Sequence, residues 1–170
     1  MKGYPVMLDL FNRRAVVIGG GKIATRKVQT LLESSEANVT VVSPDITETL
    51  EQLAYKQQIH WHKKNFHATD IEDAFLVIAA TNDKALNRMI AKQCHPHQLV
   101  NVVSEATHGN FVVPASLRRG NLTIAVSTDG LHPSAAKRIR NELASVYDET
   151  FSTYIDTWES STFRNGKTFH

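Results

Sequence analysis

The hydrophobic positions of the first 103 residues fall into short continuous runs that alternate with stretches of helical period. Runs rich in β-branched residues predict four strands, at 15–18, 39–42, 75–80 and 99–103. Continuous apolar runs of this length are typical of strands that are covered on both faces. Helices are predicted between them at 23–34, 46–58 and 83–93, with a weak strand at 59–62. Strands that alternate with helices predict a parallel sheet with right-handed crossovers.

The helix predicted at 83–93 carries a clear start signal and an apolar face. Asn82 is its expected N-cap, and the side chains expected to face the sheet are Leu86, Met89 and Ile90.

The pattern changes after residue 103, where a polar loop at 104–110 leads to a strand-like stretch at 111–113. A turn is expected at 117–121 before a strand at 122–126. This predicts either a hairpin around Gly120 and Asn121 or two strands joined by a tight helical turn. A helix is predicted at 134–148, with Pro133 near its start, and a further helical stretch at 150–161.

Composition narrows the class of protein. Of the 170 residues, 42% are hydrophobic and 21% are charged, which is typical of a globular domain. A net charge of +2 indicates neither a nucleic acid nor a membrane surface as partner, and the longest apolar run, 74–80, is too short for a membrane helix. The single cysteine, Cys94, excludes an internal disulfide. We therefore expect a cytoplasmic protein.

A glycine-rich turn is the strongest chemical signal. Gly19, Gly20 and Gly21 directly follow the first strand, and the sequence Lys22-Ile23-Ala24 opens the helix, giving the pattern G-x-G-x-x-A. The first glycine permits the tight turn, the second lets a pyrophosphate approach the backbone, and the small last residue lets helix and strand pack closely. This motif predicts a dinucleotide site at residues 19–23, and the alternative is a tight turn without a ligand.

The ends of the next two strands predict which dinucleotide binds. Asp45 follows Ser43 and Pro44 at the end of the second strand, with no arginine nearby, and an acid there accepts hydrogen bonds from the ribose of NAD. Asp45 could equally cap the following helix. Thr81 and Asn82 end the third long strand, where small residues leave room for the cofactor.

Several motifs together resemble the precorrin-2 dehydrogenase family of siroheme biosynthesis. The resemblance runs in order through most of the chain and rests on Y-P-V-M-L-D-L at 4–10, V-I-G-G-G-x-I-A-x-R-K at 17–27, A-A-T-N at 79–82, N-V-V at 101–103, F-V-V-P-A at 111–115 and A-V-S-T-D-G at 125–130. It implies NAD-dependent oxidation of the tetrapyrrole precorrin-2 to sirohydrochlorin, and some members of the family also insert iron.

The same resemblance implies an α/β fold with three parts. These are an NAD-binding domain with a Rossmann-like parallel sheet at 1–112, a small α+β dimerisation region at 113–148 and a short C-terminal helical region at 149–170. It also implies a homodimer.

One position departs from the bifunctional members. They carry an aspartate directly after Asn-Val-Val, whereas this chain has Ser104 followed by Glu105. Either Glu105 reaches the same space or the chelatase activity is absent. Because the C-terminal region is also short, we expect a dehydrogenase, with the bifunctional dehydrogenase and ferrochelatase as the alternative.

Candidate catalytic residues lie in the loop after the strand at 99–103. Hydride transfer from the substrate releases a proton, and we expect Glu105 first and His108 second as its acceptor, with Ser104 as a hydrogen-bonding neighbour. Ser127 matches a family serine near the tetrapyrrole. The alternatives are a solvated loop without a catalytic member and, for Ser127, a serine that stabilises a turn or caps a helix.

A basic cluster could bind the carboxylates of the substrate. Arginine and lysine hold carboxylates through charge-assisted hydrogen bonds, and the alternative is a solvated helix face. The cluster comprises Arg118, Arg119, Lys137, Arg138 and Arg140.

Metal ligands are incomplete in the sequence, so no metal site is predicted. Two groups have suitable residue types at short spacing, His60, His62 and His67 in one, and Cys94, His95 and His97 in the other.

Two other functions are compatible with the motifs. A Rossmann-like domain can serve as an NAD-sensing module without catalysis, because fold does not determine function. A chelatase without dehydrogenase activity is the other, and the intact glycine motif argues against it.

Overall fold

The computed structural model describes residues 3–153, which divide into a unit of residues 3–112 and a unit of residues 113–153. Five parallel strands form the sheet of the first unit, in the order β3-β2-β1-β4-β5. The strands are β1 (Arg14–Ile18), β2 (Asn38–Val42), β3 (His60–His62), β4 (Leu76–Ala79) and β5 (Leu99–Val102). The helices are α1 (Lys22–Ser34), α2 (Glu48–Tyr55) and α3 (Lys84–Gln93). This arrangement confirms the Rossmann-like α/β fold expected from the sequence.

Both faces of the sheet are buried, which accounts for the continuous apolar runs. On one face, Val17 and Ile78 pack in a core with Val28 of α1 and Leu50 of α2. On the other face, Val77 belongs to a second core, which also contains Ile90 of α3 and Val100 of β5. Burial of apolar side chains on two sides is the main stabilising contribution to a sheet of this kind.

The strand order places a switch point between β1 and β4. From β1 the chain moves outward to β2 and β3, and it then crosses to the other side of β1 to form β4 and β5. The connections that leave β1 and β4 therefore diverge. Ligands of open α/β sheets bind in the crevice that this divergence creates at the carboxyl ends of the strands.

The free edge of β5 is covered by Asn110. Its side-chain Oδ1 accepts a hydrogen bond from the Val100 backbone amide at 2.8 Å, and its backbone amide donates to the Val100 carbonyl at 2.9 Å. The strand expected at 111–113 is wrong, because these residues join no ladder. Instead the Phe111 carbonyl accepts from Asn101 Nδ2 at 3.1 Å, and the Phe111 side chain packs against the first core.

The second unit contains a hairpin and a helix. The antiparallel strands β6 (Ala115–Arg119) and β7 (Leu122–Val126) are joined by a turn in which Gly120 has a φ of +55°. The hairpin is one of the two predicted forms, but residues 117–119 belong to a strand and not to the turn. Leu117 is buried between exposed Ser116 and Arg118, the alternation of a strand with one covered face. Helix α4 (Pro133–Val146) contacts both strands.

The expected cap of α3 is wrong, and so is the alternative that Asp45 caps α2. Asp83, and not Asn82, is the N-cap of α3, with its Oδ1 accepting from the amides of Ala85 at 2.8 Å and Leu86 at 3.2 Å. Thr47, and not Asp45, is the N-cap of α2.

The described residues include only part of the helix predicted at 150–161 and of the region expected at 149–170. Residues 150–153 are helical, whereas the remainder of the helix predicted at 150–161 lies outside the described residues, as does most of the region 149–170. No helix within residues 3–153 is long and apolar enough to span a bilayer.

The buried carboxylate of Asp70 binds two residues of the connection between β3 and β4, Lys64 and His67. Asp70 is 5% exposed, and its oxygens lie 2.6 Å from Lys64 Nζ and 2.8 Å from the His67 amide. Burial alone would raise the pKa of Asp70. The hydrogen bonds from Lys64 and His67, with the nearby charge of Lys64, outweigh burial and hold that pKa below its ordinary value.

We expect Asp70→Asn to lower the free energy of unfolding by about 1–3 kcal/mol at neutral pH, because the substitution removes a buried charged partner. A lowered folded pKa stabilises the protein above the unfolded value of about 4 and ceases to do so as the pH falls through the folded value. The difference between wild type and variant should therefore shrink in acid. Urea unfolding at neutral and acid pH measures both effects.

Asp73→Asn is the matched control, because Asp73 is 89% exposed and lies 3.8 Å from Arg14. This account of Asp70 would be contradicted by an equal loss of unfolding free energy in the two variants. It would also be contradicted if the difference between wild type and Asp70→Asn persisted in acid.

Candidate functional site

The loop after β1 presses against two neighbouring strand ends. Gly19 has a φ of +117°, and a Cβ there would lie 2.5 Å from the Ala80 carbonyl oxygen. A Cβ on Gly20 would lie 2.0 Å from the Asp45 carbonyl oxygen. The Gly20 carbonyl also accepts a hydrogen bond from the Thr47 amide at 3.0 Å. Only glycine fits these two positions, since any side chain would push the strand ends apart.

Gly21 differs from its two neighbours because a Cβ there would meet nothing within 4 Å. It is the N-cap of α1, and no side chain caps this helix. The amides of the first turn, which includes exposed Lys22 and Ile23, therefore have no partner within the helix and carry the positive end of its dipole. Open space beside free amides fits the diphosphate of a dinucleotide.

The end of β2 holds the expected ribose contacts. The buried Ser43 donates through Oγ to the Asp45 carbonyl at 2.7 Å, and Pro44 and Asp45 are exposed. Trp61, which was not predicted, donates through Nε1 to the Ser43 carbonyl at 3.0 Å and so fixes this turn from β3. The only signal for it in the sequence is an aromatic residue in a weak strand.

The ends of β4 and β5 are joined by Asn87, a second residue that the sequence reasoning missed. Asn87 lies on α3 and is 0% exposed. Its Oδ1 accepts from the Thr81 amide at 3.1 Å and from Thr81 Oγ1 at 2.7 Å, while its Nδ2 donates to the Thr81 carbonyl at 3.0 Å and to Ser104 Oγ at 3.3 Å. Met89, which was expected to face inward, is 44% exposed. Asn82 is exposed beside Thr81.

The loop after β5 contains an ion pair that the sequence did not indicate. Arg88 binds Glu105 through two bonds, Nε to Oε2 at 2.6 Å and Nη2 to Oε1 at 2.7 Å. These bonds lower the pKa of Glu105, which makes its carboxylate a weak base. His108 Nε2 lies 3.6 Å from Glu105 Oε2. Ser104, Glu105 and His108 thus lie in one loop, and the Glu105 carboxylate is bound by Arg88.

Ser127 stabilises a turn in the second unit. It is exposed, and its Oγ accepts from the Asp129 amide at 3.1 Å. Asp129 and Gly130 have φ values of +53° and +78°, so the chain turns sharply between β7 and α4. This contact matches the alternative that Ser127 is a turn serine.

The five residues of the basic cluster have different environments. Arg119 donates to the Tyr147 carbonyl at 3.0 Å and pairs with Glu149 at 3.1 Å, so it joins the hairpin to the chain after α4. Arg138 is exposed and lies 3.4 Å from Glu142. Arg140 is half-buried, and its Nε has no hydrogen-bond partner among the described residues. The remaining two, Arg118 and Lys137, are exposed.

The histidines and the cysteine of residues 3–153 form no metal cluster. Within residues 3–153, no three His, Cys, Asp or Glu side chains lie close enough together to hold an ion. His95 and His97 stack on each other with ring centroids 5.5 Å apart. Burial raises the pKa of Cys94 to about 11, so this thiol is protonated at neutral pH and is a poor nucleophile.

Comparison with known proteins gives matches along most of the chain. Residues 6–115 match a family model described as NAD(P)-binding, and residues 119–145 match one described as the central part of a sirohaem biosynthesis protein. The chain is 39% identical over 151 residues to the precorrin-2 dehydrogenase of Priestia megaterium, covering 89% of this chain and 74% of that protein.

Two further proteins are similar over most of their length. The precorrin-2 dehydrogenase of Bacillus subtilis is 37% identical over 152 residues, which cover 89% of this chain and 93% of that protein. The solved structure of SirC, a precorrin-2 dehydrogenase, matches with a TM-score of 0.83 and 36% identity over 99% of this chain and 83% of that one. From these matches, and from the NAD(P)-binding model that spans more than half of its length, the chain belongs to the precorrin-2 dehydrogenase family.

Proposed function

We propose that the protein oxidises precorrin-2 to sirohydrochlorin with NAD. The observation that carries the proposal is the glycine turn, in which Gly19 and Gly20 are packed tightly while Gly21 faces open space beside the free amides of α1. Two relatives and a solved structure of 36–39% identity bear the name precorrin-2 dehydrogenase, which supports the substrate.

The protein's part in the reaction is to bind and orient the two reactants. Bound NAD supplies the hydride acceptor. Gly21 and the amides of Lys22 and Ile23 bind the diphosphate, and the exposed Asp45 accepts hydrogen bonds from the ribose hydroxyls, which favours NAD over its 2′-phosphorylated form. Thr81 and Asn82 border the space for the nicotinamide.

His108 is the better candidate for the proton acceptor. The carboxylate of Glu105 is held by Arg88 and is a weak base, whereas the His108 ring lies 3.6 Å from that same carboxylate. An imidazole nitrogen is a common proton acceptor in catalysis, and this ring is exposed in the loop. Glu105 then orients His108, and Ser104 provides a hydrogen bond.

The residue after Asn-Val-Val argues for a dehydrogenase without chelatase activity. Ser104 is a poor metal ligand, and the adjacent Glu105 carboxylate is bound to Arg88 through both oxygens. The bifunctional enzyme remains the alternative function, and a non-catalytic NAD sensor is the other.

The second unit has features suited to self-association and to an anionic substrate. Leu131, Ile139 and Val146 are exposed apolar residues of α4 and the turn before it, which supports a homodimer built on residues 113–148. Lys137 and Arg138 are exposed cations for substrate carboxylates. Use of NAD and a single cysteine fit a cytoplasmic enzyme.

Incubation with precorrin-2 and NAD without oxygen tests the function. We expect sirohydrochlorin and NADH to form in equal amounts, and the absorbance of each product measures its formation. Added Fe²⁺ or Co²⁺ should not be inserted into preformed sirohydrochlorin faster than in a protein-free control. NAD binding without NADH formation would support the sensor, and accelerated metal insertion would support the bifunctional enzyme.

Gly21→Asp should abolish detectable NAD binding without lowering the melting temperature, since Asp is a favourable N-cap residue. The new side chain enters open space, so the fold tolerates it, but it places a negative charge where the diphosphate binds. Calorimetric titration with NAD measures the loss. Gly20→Ala provides the contrast, because its Cβ would meet the Asp45 carbonyl and it should lower stability. Retained NAD affinity in Gly21→Asp would disprove the assigned diphosphate site.

His108→Gln should lower kcat by about 100-fold, the usual contribution of a general base, while Glu105→Gln should lower it by less than about tenfold. The physical reason is that Arg88 already weakens Glu105 as a base. Steady-state rates at saturating NAD measure both. A larger loss in Glu105→Gln would identify Glu105 as the proton acceptor.

A further inference from the structure

Asn87 is buried at the point where two loops of the site meet. It lies in the second turn of α3, is 0% exposed, and uses both polar atoms of its amide in hydrogen bonds. A fully buried amide is costly unless every polar atom has a partner. The four bonds, three to Thr81 and one to Ser104, meet that requirement.

The backbone of Thr81 determines which way the Asn87 amide faces. A backbone N–H can only donate, so the atom next to the Thr81 amide must be the oxygen of Asn87. A backbone carbonyl can only accept, so the atom next to the Thr81 carbonyl must be the nitrogen. The Asn87 nitrogen therefore donates to Ser104 Oγ, at 3.3 Å.

This orientation has a chemical consequence for Ser104. Its hydroxyl oxygen accepts from Asn87, so the hydroxyl proton is not used in this bond and can be donated elsewhere. Ser104 is exposed and opens the loop that contains Glu105 and His108. The buried amide thus occupies one lone pair of Ser104 Oγ and leaves its proton for donation on the solvent side.

Asn87 also links this loop to the cofactor side of the site. Thr81 directly follows Ala80, whose carbonyl lies against Gly19 in the diphosphate turn. The last backbone bond between β4 and β5 runs from the Val103 amide to the Ala79 carbonyl, and Asn87 adds a side-chain link between the two loops beyond it. Hydride transfer requires the reacting atoms about 3–3.5 Å apart, and a displacement of about 1 Å can cost about 100-fold in rate.

We propose that Asn87 is a positioning residue for hydride transfer, which holds Thr81 and Ser104 in place and leaves the Ser104 proton for donation. This proposal rests on the proposed dehydrogenase function. Asn87 touches neither reactant and acts through its two partners.

Gln98 provides a matched control elsewhere in the same unit. It is also a buried amide, 1% exposed, and its Nε2 donates to the Ala74 carbonyl at 2.7 Å while its Oε1 accepts from the His95 amide at 2.7 Å. Loss of this amide removes comparable hydrogen bonds without touching Thr81 or Ser104.

The experiment compares Asn87→Ala, Ser104→Ala, the double variant and Gln98→Ala. For each, the melting temperature, the dissociation constant of NAD and the kcat with precorrin-2 are measured. We expect Asn87→Ala to lower kcat at least tenfold with the NAD dissociation constant changed less than threefold. Gln98→Ala should lose stability and keep kcat within twofold of wild type.

The double variant separates action through Ser104 from a direct and independent effect. If Asn87 acts through Ser104, the kcat of the double variant should be no lower than that of the less active single variant. Multiplied losses would overturn that route, and an unchanged kcat in Asn87→Ala would overturn the positioning role altogether. A kcat lowered equally in Gln98→Ala would also overturn it, since the effect would then be one of general stability.

Two further outcomes are distinguished by design. If Asn87→Ala fails to fold, Asn87→Leu replaces it in the cycle, because it fills a similar volume, with the same expected loss since an apolar side chain cannot donate to Ser104. An inactive wild type would refute the proposed function together with this role. An active wild type with an equally active Asn87 variant would refute the role alone.

Discussion

The close approach of backbone to backbone at the carboxyl ends of β1, β2 and β4 is the constraint on which the site depends. Gly19 and Gly20 lie where any side chain would collide with the carbonyls of Ala80 and Asp45. This contact brings three strand ends together at the switch point of the sheet and leaves Gly21 at the mouth of the crevice. The same glycine turn therefore packs the fold through Gly19 and Gly20 and provides the proposed diphosphate site at Gly21.

The two halves of the site are built on different kinds of interaction. Backbone geometry forms the proposed diphosphate side, since amides and glycines suffice to bind an anion at a helix start. Side-chain contacts from consecutive residues of α3 form the other side, where Asn87 holds Thr81 and Ser104, and Arg88 holds Glu105. Helix α3 is thus the element that organises the loop after β5.

The sequence could predict those features that depend on neighbours in the chain. The apolar runs located the four long strands because both faces of the sheet are buried, and the glycine pattern located the turn because its geometry is local. The contacts of Asn87 and Arg88 could not be predicted, since each partner in the loop after β5 is 17 residues away in sequence. The hairpin strand 115–119 was not predicted, because alternation over so few residues, two of them arginines, also fits a turn.

Asn110 has a consequence beyond the site. An uncovered outer strand offers a row of amides and carbonyls to any second chain, which is a common route to aggregation. In this protein Asn110 occupies the outer amide and carbonyl of Val100, and the opposite outer strand, β3, is only three residues long and is followed by two lysines. Both outer strands of the sheet in residues 3–112 therefore offer few pairing groups to another copy of the chain.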